Sequence, residues 1–124
     1  MTEKTKGRVG WLDLTVDDAD GVRDFYAEVV GWSPEPVSMG DYSDYNMCDD
    51  SGAPAAGVCH RRGSNADGPA GWVPYFVVGD LDAALEAAAA RGGAAGPPRM
   101  AGETRWAIVR DPSGAGFALW EESD

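Results

Sequence analysis

The sequence contains little histidine, cysteine and positive charge. Its 124 residues include one histidine, two cysteines outside any C-x-x-C motif, and ten Lys or Arg against 21 Asp or Glu. Two cysteines are too few for a disulfide scaffold. The net charge of −11 argues against nucleic acid, because phosphate binding is driven by clustered Lys and Arg.

Long apolar runs are also absent. No stretch approaches the ~20 residues that cross a bilayer, and the first residues, "MTEKTKGRVGW", contain no apolar core of a secretory signal. We therefore expect a cytoplasmic protein with no membrane partner. The chain has no G-x-S-x-G elbow, no Walker loop and no Rossmann fingerprint, so these catalytic classes receive no support.

The chain contains one sequence pattern twice, with the two copies 62 residues apart. "WLDLTVDDAD" begins at Trp11 and "VPYFVVGDLD" at Val73; each is an apolar, strand-like run that leads through aspartates into a helical pattern. At the same offset Gly31 matches Gly93, and "DDSG" at 49–52 matches "DPSG" at 111–114. Three markers at one ungapped offset indicate an internal repeat.

Each copy predicts a strand, a helix and three further strands. Residues 11–16 alternate with the period of a strand, aspartates at 17–20 suit a helix start, and Gly31 suits its left-handed end. In the second copy Asp80 or Asp82 is the expected cap. Hairpins are predicted around 49–52 and 111–114, with additional strands near 33–37 and 96–100.

The sequence thus predicts an α+β fold of two tandem βαβββ modules. Module one covers about residues 8–62 and module two about 72–122, within a single domain of residues 1–124. Between the modules, residues 61–71 are polar and rich in Gly and Pro, which is typical of a linker.

Three segments together resemble the vicinal oxygen chelate superfamily of glyoxalase I, bleomycin-resistance proteins and extradiol dioxygenases: "WLDLTVDDADGVRDFYAEVVGW", "YFVVGDLDAALEAAAARGG" and "WAIVRDPSGAGFALWE". They cover most of both modules and are most similar to the small glyoxalase/bleomycin-resistance-like proteins. The resemblance implies a curled mixed sheet, a cup with the helices outside, that holds a metal or a ligand. It also implies a homodimer.

Metal-binding members of this superfamily place a ligand on the first strand of each module and a carboxylate on the last. The corresponding residues here are Trp11, Val73, Ala118 and, in module one, Ala56 or Val58. None of these side chains ligates a divalent metal. We therefore expect no metal and no cofactor, which argues against the metal-dependent activities of the family.

A displaced metal site has little support. His60 follows Cys59 on a predicted strand, and neighbours on a strand point to opposite faces, so the two cannot chelate one ion together. Asp13 adds one oxygen, but one His and one Asp fall short of the three protein ligands of catalytic zinc. We expect His60 to be a surface or rim residue.

Aromatic side chains and one carboxylate are the candidate ligand contacts. Strand alternation and the resemblance place some of them inside the cup, with Phe117 and Leu119 under the helices; the facing of Tyr45, Met47 and Trp106 is left open. Aromatic rings stack on planar ligands or lie against cations, although Trp and Tyr equally serve as core residues. The predicted ligand-binding set is Trp11, Asp13, Tyr45, Met47, Tyr75, Trp106 and Trp120.

Asp13 has two interpretations. A carboxylate buried in a cup is costly unless it is paired, and Arg105 or Arg110 are the partners considered. If Asp13 is instead unpaired among aromatic rings, its pKa should rise, and Asp13 becomes a candidate base or cation anchor.

These observations favour a metal-independent small-molecule binding protein that sequesters an aromatic or cationic compound such as an antibiotic. The alternative is a glyoxalase-like lyase or isomerase that uses Asp13 as acid and base, or an atypical metal site. A third alternative is a protein-interaction module with a filled cup.

Overall fold

The structure, a computed structural model, describes residues 5–63, 66 and 68–122. Ser64, Asn65 and Asp67 of the predicted linker lie outside the described residues. The elements, in chain order, are β1(Val9–Val16), α1(Ala19–Val30), β2(Ser33–Ser38), β3(Ser43–Cys48), β4(Pro54–His60), β5(Gly71–Val78), α2(Leu81–Ala90), β6(Ala94–Ala95), β7(Arg99–Ala101), β8(Thr104–Arg110) and β9(Gly116–Glu121).

This order confirms the α+β fold with two tandem βαβββ modules. The strand expected near 96–100 is divided into β6 and β7, which both pair with β8. Pro97 and Pro98 lie between the two pieces. Because proline has no N–H to donate to a ladder, it interrupts the strand there.

The chain forms two compact units. The N-terminal unit comprises residues 12–73, and the C-terminal unit comprises the described residues 5–11 and 74–122. In the N-terminal unit the strand order is β2-β3-β4-β1; in the C-terminal unit it is β5-β9-β8-β6, with β7 also on β8. In each unit the first and last strands of a module are parallel (β1 with β4, β5 with β9), and the remaining pairs are antiparallel.

The helix ends repeat between the modules. Asp18 caps α1 by accepting a hydrogen bond from the Gly21 N–H at 3.1 Å, and Asp80 caps α2 by accepting from Ala83 at 3.0 Å. Gly31 ends α1 with a left-handed φ of 85° and donates its N–H to Ala27 O, as predicted. The cap of α2 is therefore Asp80 rather than Asp82.

Each helix covers one face of its own sheet. In the N-terminal unit Leu14, Met47 and Val58 form a buried cluster with Ala19 of α1. In the C-terminal unit Leu81 of α2 packs into a buried cluster whose strand residues are Ala107, Val109 and Leu119, with Phe76 and Phe117 against it. The prediction that Phe117 and Leu119 pack under the helix is confirmed. We call the opposite side of each sheet its open face.

A β-bulge makes the two modules unequal. In β3 and β4, Met47 pairs with Ala56 but Cys48 pairs with Pro54, so Ala55 is one extra residue on β4. An extra residue shifts every later side chain of the strand to the other face. Val58 therefore joins the core, whereas at the 62-residue offset its counterpart Trp120 lies on the open face, level with Trp106 of β8.

This bulge overturns the expectation that Ala56 or Val58 is the open-face counterpart of Ala118. Val58 lies in the core cluster under α1, and the ladder pairs Ala56 with Met47 of the same cluster. The residues opposite Asp13 and Thr15 of β1 are Gly57 and Cys59.

Candidate functional site

The open face of the C-terminal unit carries a cluster of aromatic rings. Trp106 and Trp120 are cross-strand neighbours on β8 and β9. The Tyr75 ring on β5 lies 5.9 Å from the Trp106 ring, centroid to centroid, at an interplanar angle of 41°. Trp106 is 8% exposed, whereas Tyr75 and Trp120 are half-buried. We call Tyr75, Trp106 and Trp120 the aromatic face.

Ala118 lies in the middle of the aromatic face. Its ladder partners are Tyr75 on β5 and Ile108 on β8, and it is fully buried although α2 lies on the other side of the sheet. The methyl side chain leaves room for the Tyr75 ring to reach across β9 toward Trp106. A small residue here therefore permits the contact between the rings.

Arg99 adds a positive charge to this face. It pairs with Trp106 in the β7–β8 ladder, and its guanidinium carbon lies 5.4 Å from the centroid of the Trp106 ring. That distance is within the range of cation–π attraction. Nothing in the sequence pattern indicated Arg99, because the strand that carries it follows two prolines and has only three residues.

The other arginines of this unit have different partners. Arg105 lies on the helix side, where its Nη2 donates to Asp82 at 2.6 Å and its Nη1 lies 3.7 Å from Glu121 Oε1. Arg110 donates to the backbone oxygen of Gly114 at 3.2 Å. Both partners considered for Asp13 thus make contacts within their own unit.

Glu121 is a second residue that the sequence did not reveal. Its Oε2 accepts a hydrogen bond from the Leu81 N–H at 2.7 Å, so it satisfies a free donor at the start of α2 in addition to the Asp80 cap. This contact ties the last strand to the helix. Glu121 therefore belongs to the helix side of the sheet rather than to the aromatic face.

The open face of the N-terminal unit has a different chemistry. Asp13 is opposite Gly57, and Thr15 is opposite Cys59. Burial, and then the nearby carboxylates of Asp13 and Asp44, raise the pKa of the Cys59 thiol, because a thiolate would be desolvated and would face negative charge. Cys59 is therefore a protonated thiol and not an activated nucleophile.

Asp44 is the buried carboxylate of this face, with 7% exposure. Its Oδ1 accepts from the His60 N–H at 2.8 Å and lies 3.4 Å from His60 Nδ1. The His60 side chain is 13% exposed, and its Nε2 lies 3.9 Å from Asp20 Oδ1. The expectation of a surface histidine is corrected, because the ring is largely covered and lies beside carboxylates of β3 and α1. A rim position stays a prediction.

Two of the predicted ligand contacts do not lie on an open face. Met47 is fully buried in the core cluster under α1. Tyr45 packs against the same cluster, and its hydroxyl donates to Asp20 Oδ1 of α1 at 2.7 Å, which raises the pKa of Tyr45. Tyr45 and Met47 therefore point to the helix side of β3. The sequence alone did not decide this orientation.

The remaining predicted residues fall in both units. Trp11 and Asp13 are alternate residues of β1; Trp11 is assigned to the C-terminal unit and Asp13 to the N-terminal unit, and both are half-buried. Tyr75, Trp106 and Trp120 are the three that the structure brings together in one unit.

The N-terminal unit also has a shallow groove of about 410 Å³ at the end of α1. Asp49, one of its lining residues, already accepts hydrogen bonds from the Ser51 N–H and hydroxyl and from the Ala53 N–H. None of the predicted ligand contacts lines this groove. The other lining residues are Val30, Gly31, Trp32, Asp50 and Ser51.

The residues at the family's metal positions do not fit a metal. Trp11, Val73 and Ala118 have no donor group for a divalent cation. Across the part of the chain that the structure describes, no three His, Cys, Asp or Glu side chains converge in a way that could hold an ion. Within the same described residues, neither helix has the length and apolar character needed to span a membrane.

Comparison with known proteins identifies the class. Residues 8–119 match the model of the glyoxalase/bleomycin resistance protein/dioxygenase superfamily, and the chain belongs to this superfamily. It is 31% identical to the anthracycline biosynthesis protein DauV of Streptomyces sp. (strain C5), in an alignment that covers 98% of this chain and 50% of DauV. The chain thus spans about half the length of the curated relatives that it matches.

Solved structures agree on the fold. A superfamily member from Vibrio splendidus 12B01 superposes with a TM-score of 0.61 at 15% identity, covering 90% of this chain and 97% of that one. Methylmalonyl-CoA epimerase from Mycobacterium tuberculosis also gives 0.61, at 17% identity, covering 100% and 94%. At these identities the likeness concerns the fold and not the activity.

Proposed function

We propose that this chain binds a planar aromatic small molecule on the aromatic face and captures it without a metal. The observation that carries the proposal is the contact between Tyr75 and Trp106, with Trp120 beside them, on the sheet face that α2 does not cover. The half-buried rings of Tyr75 and Trp120 offer contact area at low entropic cost and stack on planar molecules. Ala118 at the centre keeps this surface apolar.

The similarity to a protein of anthracycline biosynthesis supports a polycyclic ligand. We therefore propose a fused-ring aromatic compound as the ligand class, with sequestration of an antibiotic-like molecule as the role. Stoichiometric capture needs only a complementary surface, and this fits the lack of donor side chains at the family's metal positions. We also propose that the protein is cytoplasmic.

Calorimetric titration with anthraquinone-2-carboxamide, a neutral planar probe, tests the proposal. We expect one site per chain, and we expect Tyr75→Leu to weaken binding by about threefold to tenfold, the worth of one aromatic contact. Tyr42→Leu is the matched control, since Tyr42 is a half-buried tyrosine of the N-terminal unit. Equal effects of the two variants, or no binding by the wild-type protein, would contradict the proposal.

The enzymatic alternative rests on Asp13. It faces the same side as Cys59 and lies close enough to raise the pKa of that thiol, so it is a carboxylate in a partly desolvated environment. If Asp13 serves as an acid and base, Asp13→Asn should retain ligand affinity and abolish conversion of the bound compound, followed by mass spectrometry. Asp17→Asn, on the exposed turn before α1, is the control.

We also propose that the chain forms a homodimer through the outer side of α1. Phe25 and Val29 lie one turn apart there and are 58% and 66% exposed, which is high for large apolar side chains. Light scattering should report twice the chain mass for the wild type and a monomer for Phe25→Ser with Val29→Ser, whereas the same mass for both would contradict this interface.

Finally, we infer that residues 1–124 act as one domain. This predicts a single cooperative unfolding transition, with tryptophan fluorescence and far-ultraviolet circular dichroism giving the same midpoint.

A further inference from the structure

The charge beside the aromatic face indicates which aromatic molecules it prefers. Arg99 pairs with Trp106 across β7 and β8, and its guanidinium lies 5.4 Å from the centre of the indole. We propose that the ligand is a planar aromatic acid whose anionic oxygen accepts hydrogen bonds from Arg99 while its rings stack on the half-buried rings of Tyr75 and Trp120. This inference rests on the proposed function, because it names the class of ligand for the same face.

The chemistry of arginine supports an anionic group. A guanidinium has five N–H donors in one plane, so it can serve a ligand oxygen in addition to any contact within the protein. Its planar fork matches a carboxylate, and charge-assisted hydrogen bonds are about twice as strong as neutral ones. The contact with Trp106 keeps the guanidinium beside the aromatic surface.

The excess of acidic residues in the chain makes the position of Arg99 informative about the charge of the ligand. Acidic residues outnumber basic ones by 21 to 10, so the average surface of this chain disfavours anions. Arg99 on the aromatic face is a positive charge on a chain whose charges are mostly negative. It provides a local selection for acids, whereas the aromatic rings alone would accept neutral, anionic and cationic compounds alike.

The position of Arg99 also differs from those of its neighbours. Arg105 lies on the helix side, beside Asp82 and Glu121, and Arg110 lies at the end of β8, beside the Gly114 backbone oxygen. Of these three arginines, Arg99 is the one whose guanidinium lies against a ring of the aromatic face.

A charge series on one ring system tests this inference. Anthraquinone-2-carboxylate, its neutral carboxamide and the cationic 2-aminomethyl compound share the rings and differ in charge. We expect calorimetry at pH 7 to show the carboxylate binding about tenfold more tightly than the carboxamide, and the aminomethyl compound more weakly than both.

Variants of Arg99 separate the charge effect from the face itself. Arg99→Gln should remove the advantage of the carboxylate over the carboxamide, and continued binding of the carboxamide shows that the variant is folded. Arg99→Lys should restore part of the advantage, because it keeps the charge but not the fork. Arg91→Gln, at the exposed end of α2, makes the same change in net charge and should have no effect.

The outcomes distinguish the two proposals. Equal affinity for carboxylate and carboxamide, or a carboxylate advantage that persists in Arg99→Gln, overturns the preference for acids and leaves aromatic binding standing. Binding of neither compound overturns the proposed function and this inference with it.

Discussion

The rings of Tyr75 and Trp106 lie 5.9 Å apart although their strands, β5 and β8, are not neighbours in the sheet. Strand β9 runs between them and presents Ala118, whose ladder partners are Tyr75 on one side and Ile108 on the other. The contact therefore spans one strand. It depends on the small side chain at the position where metal-binding relatives are expected to carry a carboxylate.

The first prediction concerns this position. Ala118→Leu places three extra carbon atoms in a fully buried site and should separate the rings. We expect the free energy of unfolding to fall by about 1–3 kcal/mol, as is usual for overpacking, and affinity for a planar aromatic to fall as well. Urea unfolding and calorimetry measure the two effects. Ala115→Leu, on the exposed hairpin turn, should change neither.

The second prediction concerns the bulge in β4. Because of the bulge Val58, and not Gly57, points into the core beneath α1, so Val58→Ala should lower the free energy of unfolding. Loss of one buried valine side chain costs about 1.5–3 kcal/mol, and urea unfolding should detect it. Ala55→Ser keeps the strand length and should be nearly neutral. Similar stability of Val58→Ala and the wild type would contradict the assigned register.

The third prediction concerns the Cys59 thiol. Because burial and the carboxylates of Asp13 and Asp44 raise its pKa, the folded protein should react slowly with Ellman's reagent at pH 8. In a Cys48→Ala background, Asp13→Asn should accelerate the reaction, since one of the two negative charges is removed. Asp50→Asn, on the exposed turn after β3, should not. An unchanged rate in Asp13→Asn would show that the carboxylate does not act on the thiol.

The fourth prediction concerns pH and the β8–β9 turn. The Ser113 hydroxyl, and then backbone N–H donors, lower the pKa of Asp111 in the folded state. A lowered pKa means that the ionised carboxylate stabilises the fold at pH values above its unfolded pKa. That stability is lost as pH falls through the lower folded value.

Asp111→Asn should therefore be less stable than the wild type at pH 7, with a smaller loss between pH 7 and pH 2.5. Urea midpoints at the two pH values measure this. Asp50→Asn, at an exposed carboxylate of the turn after β3, serves as the control. An unchanged pH dependence in Asp111→Asn would contradict the assigned role.

Most of the fold could be predicted from the internal repeat. The 62-residue offset predicted both helices, the aspartate caps and the two hairpin turns, and the structure repeats them down to the hydrogen bonds of Asp49 and Asp111. Local side-chain chemistry specifies these features, so they can be recognised in a single chain. The orientation of Phe117 and Leu119 followed from strand alternation together with the family resemblance.

The sequence could not predict features that depend on how strands pair. The extra residue Ala55 has no local signal, yet it decides that Val58 is core and Cys59 is not. Tyr45 and Met47 follow the parity of β3, and Arg99 meets Trp106 only through the ladder between β7 and β8. Such contacts join residues that are distant in the chain and are determined by register.

The most direct test of aromatic binding is a nuclear magnetic resonance titration that follows the indole N–H signals of the five tryptophans. With anthraquinone-2-carboxamide, the signals of Trp106 and Trp120 should shift, because a planar ligand stacks on their face. Those of Trp32 and Trp72, which pack with Tyr26 in the N-terminal unit, should stay in place. Shifts confined to Trp32 and Trp72, or no shifts at all, would contradict the account.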